Sequence, residues 1–448
     1  MDTRSNSHSL AFEVTHRLVL SIAIPMTLGF LTTPLLGLTS TAVVGHMGDP
    51  EALAGLAIGA MLFDLILGSF NFLRASTTGL TAQAYGRRDR HEQQAVFARA
   101  LISALGCGLA LLCLSPLLRA AGLRLMGAEG AIAEATATYF SIRILAAPAA
   151  LANYAILGFV LGRGQGGVGL LLQALINGIN ILLSIYLGLS LGWGVAGVAW
   201  GTLAGEVAGA LAGLFIVLGG FAKSERPAWS EVFSRHRLAE LFALNRDILI
   251  RTFVLIGAFA IMTRIGTGFG AVTLAANAVL MNFFLLSGYY LDGLANAAEQ
   301  ITGRAVGAHY RPAFDRGLKL TTFWSFGLAA IVSAFFLLAG PWLISVLTTS
   351  PEVRQAAGTY LPWAAVTGLT GALAFLMDGV FIGATWSVDM RNRMLMSFAG
   401  YLAMLAVFVP LFGNHGLWLA MNAFLLFRGF FLAMLVRPRA DQTFRAAQ

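Results

Sequence analysis

The sequence predicts an all-α integral membrane protein with twelve transmembrane helices in two six-helix lobes related by pseudo-two-fold symmetry. Three observations predict it. Of the 448 residues, 58% are hydrophobic and only 11% charged, whereas soluble domains carry about 25% charged residues. Twelve apolar stretches each reach the roughly 20 residues that a spanning helix needs. Shifting the chain by 221 places LAGLAIG (53–59) on LAANAVL (274–280) and AYGRRDR (84–90) on AVGAHYR (305–311), so one offset serves two matches.

The first span, 17–45, follows a polar head and is too long for the core of a removable signal peptide, so it is expected to stay. Pro25 and Pro34 each remove a backbone hydrogen bond from it, and Pro25 is the expected hinge. The second span, 51–85, carries Asp64 and Arg74. The third, 93–118, holds both cysteines, Cys107 and Cys113, which read as small buried hydrophobes. The fourth, 130–162, ends in a GxGxxG match at Gly162, Gly164 and Gly167. It follows a membrane helix rather than a strand, so it reads as a tight turn. The fifth, 168–190, contains INGIN, and the sixth, 193–221, contains Glu206.

The stretch 222–240 mixes both charge signs with a proline and reads as a linker between an N-terminal lobe, 1–221, and a C-terminal lobe, 241–448. The remaining spans are 241–265, 271–306, 317–347, 354–384, 394–412 and 415–436. Six spans per half start both halves on the same side, which makes the repeats parallel. The +8 net charge suggests nucleic acid until the basic residues are placed. Roughly 21 of the 29 Lys and Arg fall on the N-terminus, even-numbered connections and C-terminus. Both termini and the linker are therefore expected on the cytoplasmic side of the membrane, and the basicity reports topology.

All seven histidines fall on predicted loops or span ends, and no His or acidic cluster offers a nucleophile with a base in reach. A membrane enzyme is disfavoured, and no cofactor or metal is expected. Five carboxylates lie inside spans: Asp64, Glu206, Asp292, Glu299 and Asp378. Charge at membrane depth is by default a functional-site hypothesis. For the last three, all near one end of their spans, structural pairing with Arg304, Arg391 or Arg393 is the competing reading. At about 1.5 Å per residue, Glu206, Asp64 and Asn180 lie at comparable depth in the first lobe. Asn177 and Asn180, two amides on one face of an apolar helix, are thus expected to face a polar pocket with Glu206 as its ionisable member. The in-span cations Arg74, Arg143, Arg251 and Arg428 read as snorkelling or pairing.

Several stretches resemble one family in order along nearly the whole chain: GLTSTAVVGHMGD (37–49), FLRASTTGLTAQAYG (72–86), INGIN (176–180), LNRDI (244–248), LDGLANAAE (291–299), MDGVFIGAT (377–385) and GNHGLWLA (413–420). They look like the DinF branch of the multidrug and toxic compound extrusion (MATE) transporters. The resemblance implies a two-lobed twelve-helix fold that exports compounds by alternating access in exchange for protons or sodium ions. It likens Glu206, Asp292, Glu299 and Asp378 to acidic positions typical of the branch. Ser40 and Ser184 stand where relatives carry aspartates. A hydroxyl cannot release a proton near neutral pH, and Asp64 is a candidate replacement for the lost charge.

The function expected is an antiporter of amphipathic, cationic organic compounds, acting as a monomer, with H+ favoured as coupling ion over Na+. The alternative is a flippase of lipid-linked precursors, whose phosphates would want several cavity arginines.

Overall fold

The computed structural model describes residues 10–222 and 226–445, so His8 and part of the linker lie outside the described residues. Among the described residues there is no strand. Twelve helical stretches are long and apolar enough to cross a membrane: His16–Gly45, Pro50–Gly86, Arg90–Cys113, Gly130–Gly162, Gly166–Ser190, Gly194–Gly219, Trp229–Phe269, Ala271–Gly307, Arg311–Leu347, Pro351–Gly383, Ser387–Phe412 and Asn414–Arg445. Helices are the form that satisfies every backbone group internally where lipid offers no partner. Residues 229–232 and 235–240 of the linker are also helical. The glycines of the GxGxxG match form a turn, Gly162 closing one helix and Gly166 opening the next, with Gly164 at φ +73°.

The spans bend where the sequence removes or diverts backbone bonds. The first divides at Thr32 into His16–Leu31 and Thr33–Gly45. Pro34 cannot donate to the preceding turn, and Thr32 turns both its amide and its hydroxyl onto the Gly29 carbonyl. Pro25 lies within the unbroken part of the first helix. The fourth span tightens to a 3-10 turn at Ile144–Ala146 just before Pro148, and the fifth widens to a π-helix over Ser184–Ser190.

The sixth span carries Gly197, Gly201, Gly205, Gly209 and Gly213 at four-residue spacing, one small-residue stripe along a helix face. A Cβ at Gly201 would lie 2.6 Å from the Ser184 hydroxyl, and one at Gly205 would lie 2.6 Å from the Ile176 carbonyl. This bare stripe lets the fifth and sixth spans touch backbone to backbone, which carries Asn180 up to Thr202 and Glu206.

The chain forms two compact units. One comprises Leu28–Ala84 and Asp89–Phe242, and the other comprises Met1–Thr27, Tyr85–Arg88 and Ala243–Gln448. The first is cored by residues such as Phe63, Phe140 and Val198, the second by Phe283, Tyr401 and Trp418. Each core is a helix-on-helix packing of buried apolar stripes, against which the polar groups below must find partners.

Candidate functional site

The first unit encloses a cavity of about 380 Å³ lined by its first, second, fourth, fifth and sixth spans. Phe30, Phe63, Leu67, Leu157, Leu172 and Ile176 make the wall apolar. Into it project Asp64 and Arg74 from the second span, Arg143, Asn153 and Tyr154 from the fourth, Gln173, Asn177 and Asn180 from the fifth, and Thr202 and Glu206 from the sixth. The four residues singled out from sequence, Glu206, Asn177, Asn180 and Asp64, thus line one cavity. Ser40 is not among its lining residues.

Hydrogen bonds fix the amides. Asn177 donates to the Thr32 hydroxyl at the break in the first span and accepts from Gln173 at 3.0 Å. Asn180 accepts from the fully buried Ser184 hydroxyl at 3.0 Å, where the π-helix begins. The carboxylate of Glu206 accepts from Asn153 Nδ2 at 2.7 Å, and the same amide reaches the Glu206 carbonyl at 2.9 Å. Arg143 Nη2 stands 3.6 Å from the other carboxylate oxygen. The guanidinium of Arg143 also lies over the Phe63 ring at 5.4 Å, and its Nη1 is buried without a hydrogen-bond partner. Arg74 bonds Asn71 at 3.1 Å. The cavity therefore gathers two carboxylates and two guanidiniums inside an apolar wall, with Glu206 and Arg143 facing each other.

In the second unit Asp378 is gripped by two arginines, Arg251 and Arg428, the latter at 2.7 Å. Arg428 is 2% exposed and Asp378 6%. Asp292 is exposed and acts on Arg428 electrostatically, whereas Glu299, seven residues on, is buried. The partners expected for these acids are therefore corrected in two cases. Asp378 pairs with in-span arginines from neighbouring helices, and Arg391 instead bonds Asp247 at 2.7 Å. Arg304 stacks on Phe12 at 3.9 Å.

Sequence reasoning missed Asn153 and Asp247 and undervalued Arg143. Asn153 is a single amide in an apolar run, without the second amide one turn away that singled out Asn177. Asp247 is fully buried and also accepts from Ser387 at 2.9 Å.

A multi-span helical bundle that encloses a small-molecule-sized cavity, apolar in its wall and sparingly charged, is the build of a membrane transporter. The MatE family model matches this chain twice, over residues 25–186 and 248–409, and the chain belongs to that family, the MATE transporters. The two matches also bear out the internal repeat. DNA damage-inducible protein F of Escherichia coli is 37% identical over 93% of this chain and 91% of that protein. A NorM described as a probable multidrug resistance protein, from Caulobacter vibrioides, is 26% identical over 93% of this chain and 88% of that protein. The fold is that of a MATE transporter solved in a straight conformation, with a TM-score of 0.87 at 18% identity over 96% of this chain and 97% of the other.

Proposed function

We propose that this protein is a secondary active exporter of amphipathic organic compounds, cationic ones among them, driven by inward proton movement through alternating access. The observation that carries the reading is the first-unit cavity, where Glu206 and Asp64 sit among apolar side chains. A carboxylate there attracts an organic cation when ionised and releases it when protonated, so proton and cation compete for one charge. Linkage then couples their movements, because each ligand shifts the equilibrium through its different affinity for the two states. That a relative is described as a probable multidrug resistance protein agrees with export.

The protein works as a monomer in a bacterial inner membrane with both termini cytoplasmic. The basic residues on the even-numbered connections support that orientation. A flippase reading would use the in-span arginines for phosphate, but Arg251 and Arg428 are taken by Asp378 and Arg143 faces Glu206. The deciding experiment is flux of a fluorescent organic cation in proteoliposomes under an imposed pH gradient or an imposed sodium gradient. The pH gradient should drive it and the sodium gradient should not. Flux driven by sodium alone would reject proton coupling.

A further inference from the structure

The first-unit cavity gathers Glu206, Asp64, Asn153, Asn177, Asn180 and Thr202, an all-oxygen donor set of the kind that hard cations take. By donor count alone it would suit sodium. The geometry points to the opposite: we propose that Arg143 sets the ion specificity of this cavity, its guanidinium standing where a sodium ion would sit beside Glu206, so that a proton is the cation Glu206 accepts. The proposal rests on the reading of Glu206 as the coupling carboxylate.

Both carboxylate oxygens of Glu206 already face N–H donors. One takes the Asn153 amide at 2.7 Å, and the other faces Arg143 Nη2 at 3.6 Å. Arginine stays charged at any working pH. A sodium ion ligated by that carboxylate would have to displace the guanidinium or remain within a few ångströms of its like charge, and the apolar wall screens that repulsion poorly. A proton needs neither a ligand shell nor a vacant site, since it adds to an oxygen lone pair.

Arg143 cannot easily leave. It is 9% exposed, and its guanidinium is held over the Phe63 ring. Its Nη1 is unpartnered, and Asp64 lies within reach of its charge. When Glu206 is neutralised, Asp64 offers the guanidinium a second anion, so the positive charge stays in the cavity. The charged and titratable groups around the pair are Asp64 and Arg74 on the second span, Tyr139 and Tyr154 on the fourth, and Glu206 on the sixth. The first and fifth spans present the uncharged groups Thr33, Gln173, Asn177 and Asn180.

The test is equilibrium binding of radioactive sodium to the purified full-length protein at alkaline pH, where sodium meets the least competition from protons. The native protein should bind no sodium that Glu206→Gln removes. Arg143→Gln should gain saturable sodium binding at least about tenfold tighter than native, and the double variant with Glu206→Gln should lose it. Arg143→Lys, which restores the charge, should return the native behaviour; a purely structural role for the arginine would not predict this gain and reversal. Two results would overturn the proposal: native protein whose saturable sodium binding disappears in Glu206→Gln, or a monodisperse Arg143→Gln that binds sodium no better than native. If Arg143→Gln does not yield folded protein, the native and Glu206→Gln comparison decides alone. Flux of Glu206→Gln in proteoliposomes is a separate measurement, so a failure of Glu206 as coupling site is told apart from a failure of Arg143 as ion filter.

Discussion

The two units arrange carboxylates and arginines to opposite effect. Each sets two carboxylates against two arginines: Asp64 and Glu206 with Arg74 and Arg143 in the first, Asp292 and Asp378 with Arg251 and Arg428 in the second. In the second unit one carboxylate is clamped by two guanidiniums, and protonating it would leave both without their shared anion. In the first, Glu206 has one arginine at 3.6 Å and one amide, and it borders a cavity. Under the proposed function the loosely held carboxylate beside open space is the coupling group, and the doubly clamped one is structural.

The largest effect expected from breaking this contrast is on stability in the second unit. Asp378→Leu leaves the buried Arg428 and the partly buried Arg251 without their shared anion, which costs about 3–5 kcal/mol for a broken buried pair. Glu206→Leu should cost clearly less, because Arg143 retains Asp64 and the cavity. Thermal unfolding of the detergent-solubilised variants measures both. An Asp378→Leu protein as stable as native would mean that the clamp is not structural, and Asp378 would join the coupling candidates.

Next in size is the loss of coupling in the first unit. Glu206→Gln keeps the shape of the side chain but carries no charge, like the protonated acid, so organic-cation binding should weaken and transport should stop responding to a pH gradient, a drop of at least about tenfold. Asp64→Asn should have the same sign and a smaller size, since Asp64 is the second anion of the pair rather than the first. Flux in proteoliposomes with and without the gradient distinguishes the two. Native gradient response in Glu206→Gln would move the proton site to the second unit, with Asp292 and Glu299 tested first.

Much of this architecture can be read from sequence because lipid imposes a simple rule: a span must be long and apolar. The twelve spans, the repeat and the amides of INGIN follow from it. Pairing inside a bundle obeys no such rule. Asp378 meets arginines 127 and 50 positions away, on helices that only tertiary packing brings beside it, so arginines close in sequence were the wrong place to look. Asn153 stood alone in its span and lacked the paired spacing that marked Asn177 and Asn180. The glycine stripe of the sixth span was legible in its four-residue spacing. Its use, drawing Asn180 and Glu206 together, needed the neighbouring helix. The break of the first span fell at Thr32 rather than Pro25 because Pro34 frees the turn before it and the Thr32 hydroxyl stabilises the opening.

The smallest effects should come from Ser40 and Ser184, the two serines that the family resemblance likens to aspartate positions. Ser184 is fully buried, and its hydroxyl donates to Asn180 Oδ1 at 3.0 Å. Removing it costs the net worth of one hydrogen bond, about 0.5–1.5 kcal/mol, while Asn180 keeps its place against the glycine stripe. Ser40 lies outside the cavity lining, so Ser40→Ala should change neither stability nor flux measurably. If the proton is carried by Glu206, neither hydroxyl takes part in coupling, and both variants should retain most of the transport driven by a pH gradient. A sodium site would behave differently, since an oxygen that ligates a cation directly cannot be deleted without loss of coupling. Complete loss of transport in folded Ser184→Ala would therefore place an ion between Ser184 and Asn180. It would also show that the guanidinium of Arg143 does not guard the whole cavity.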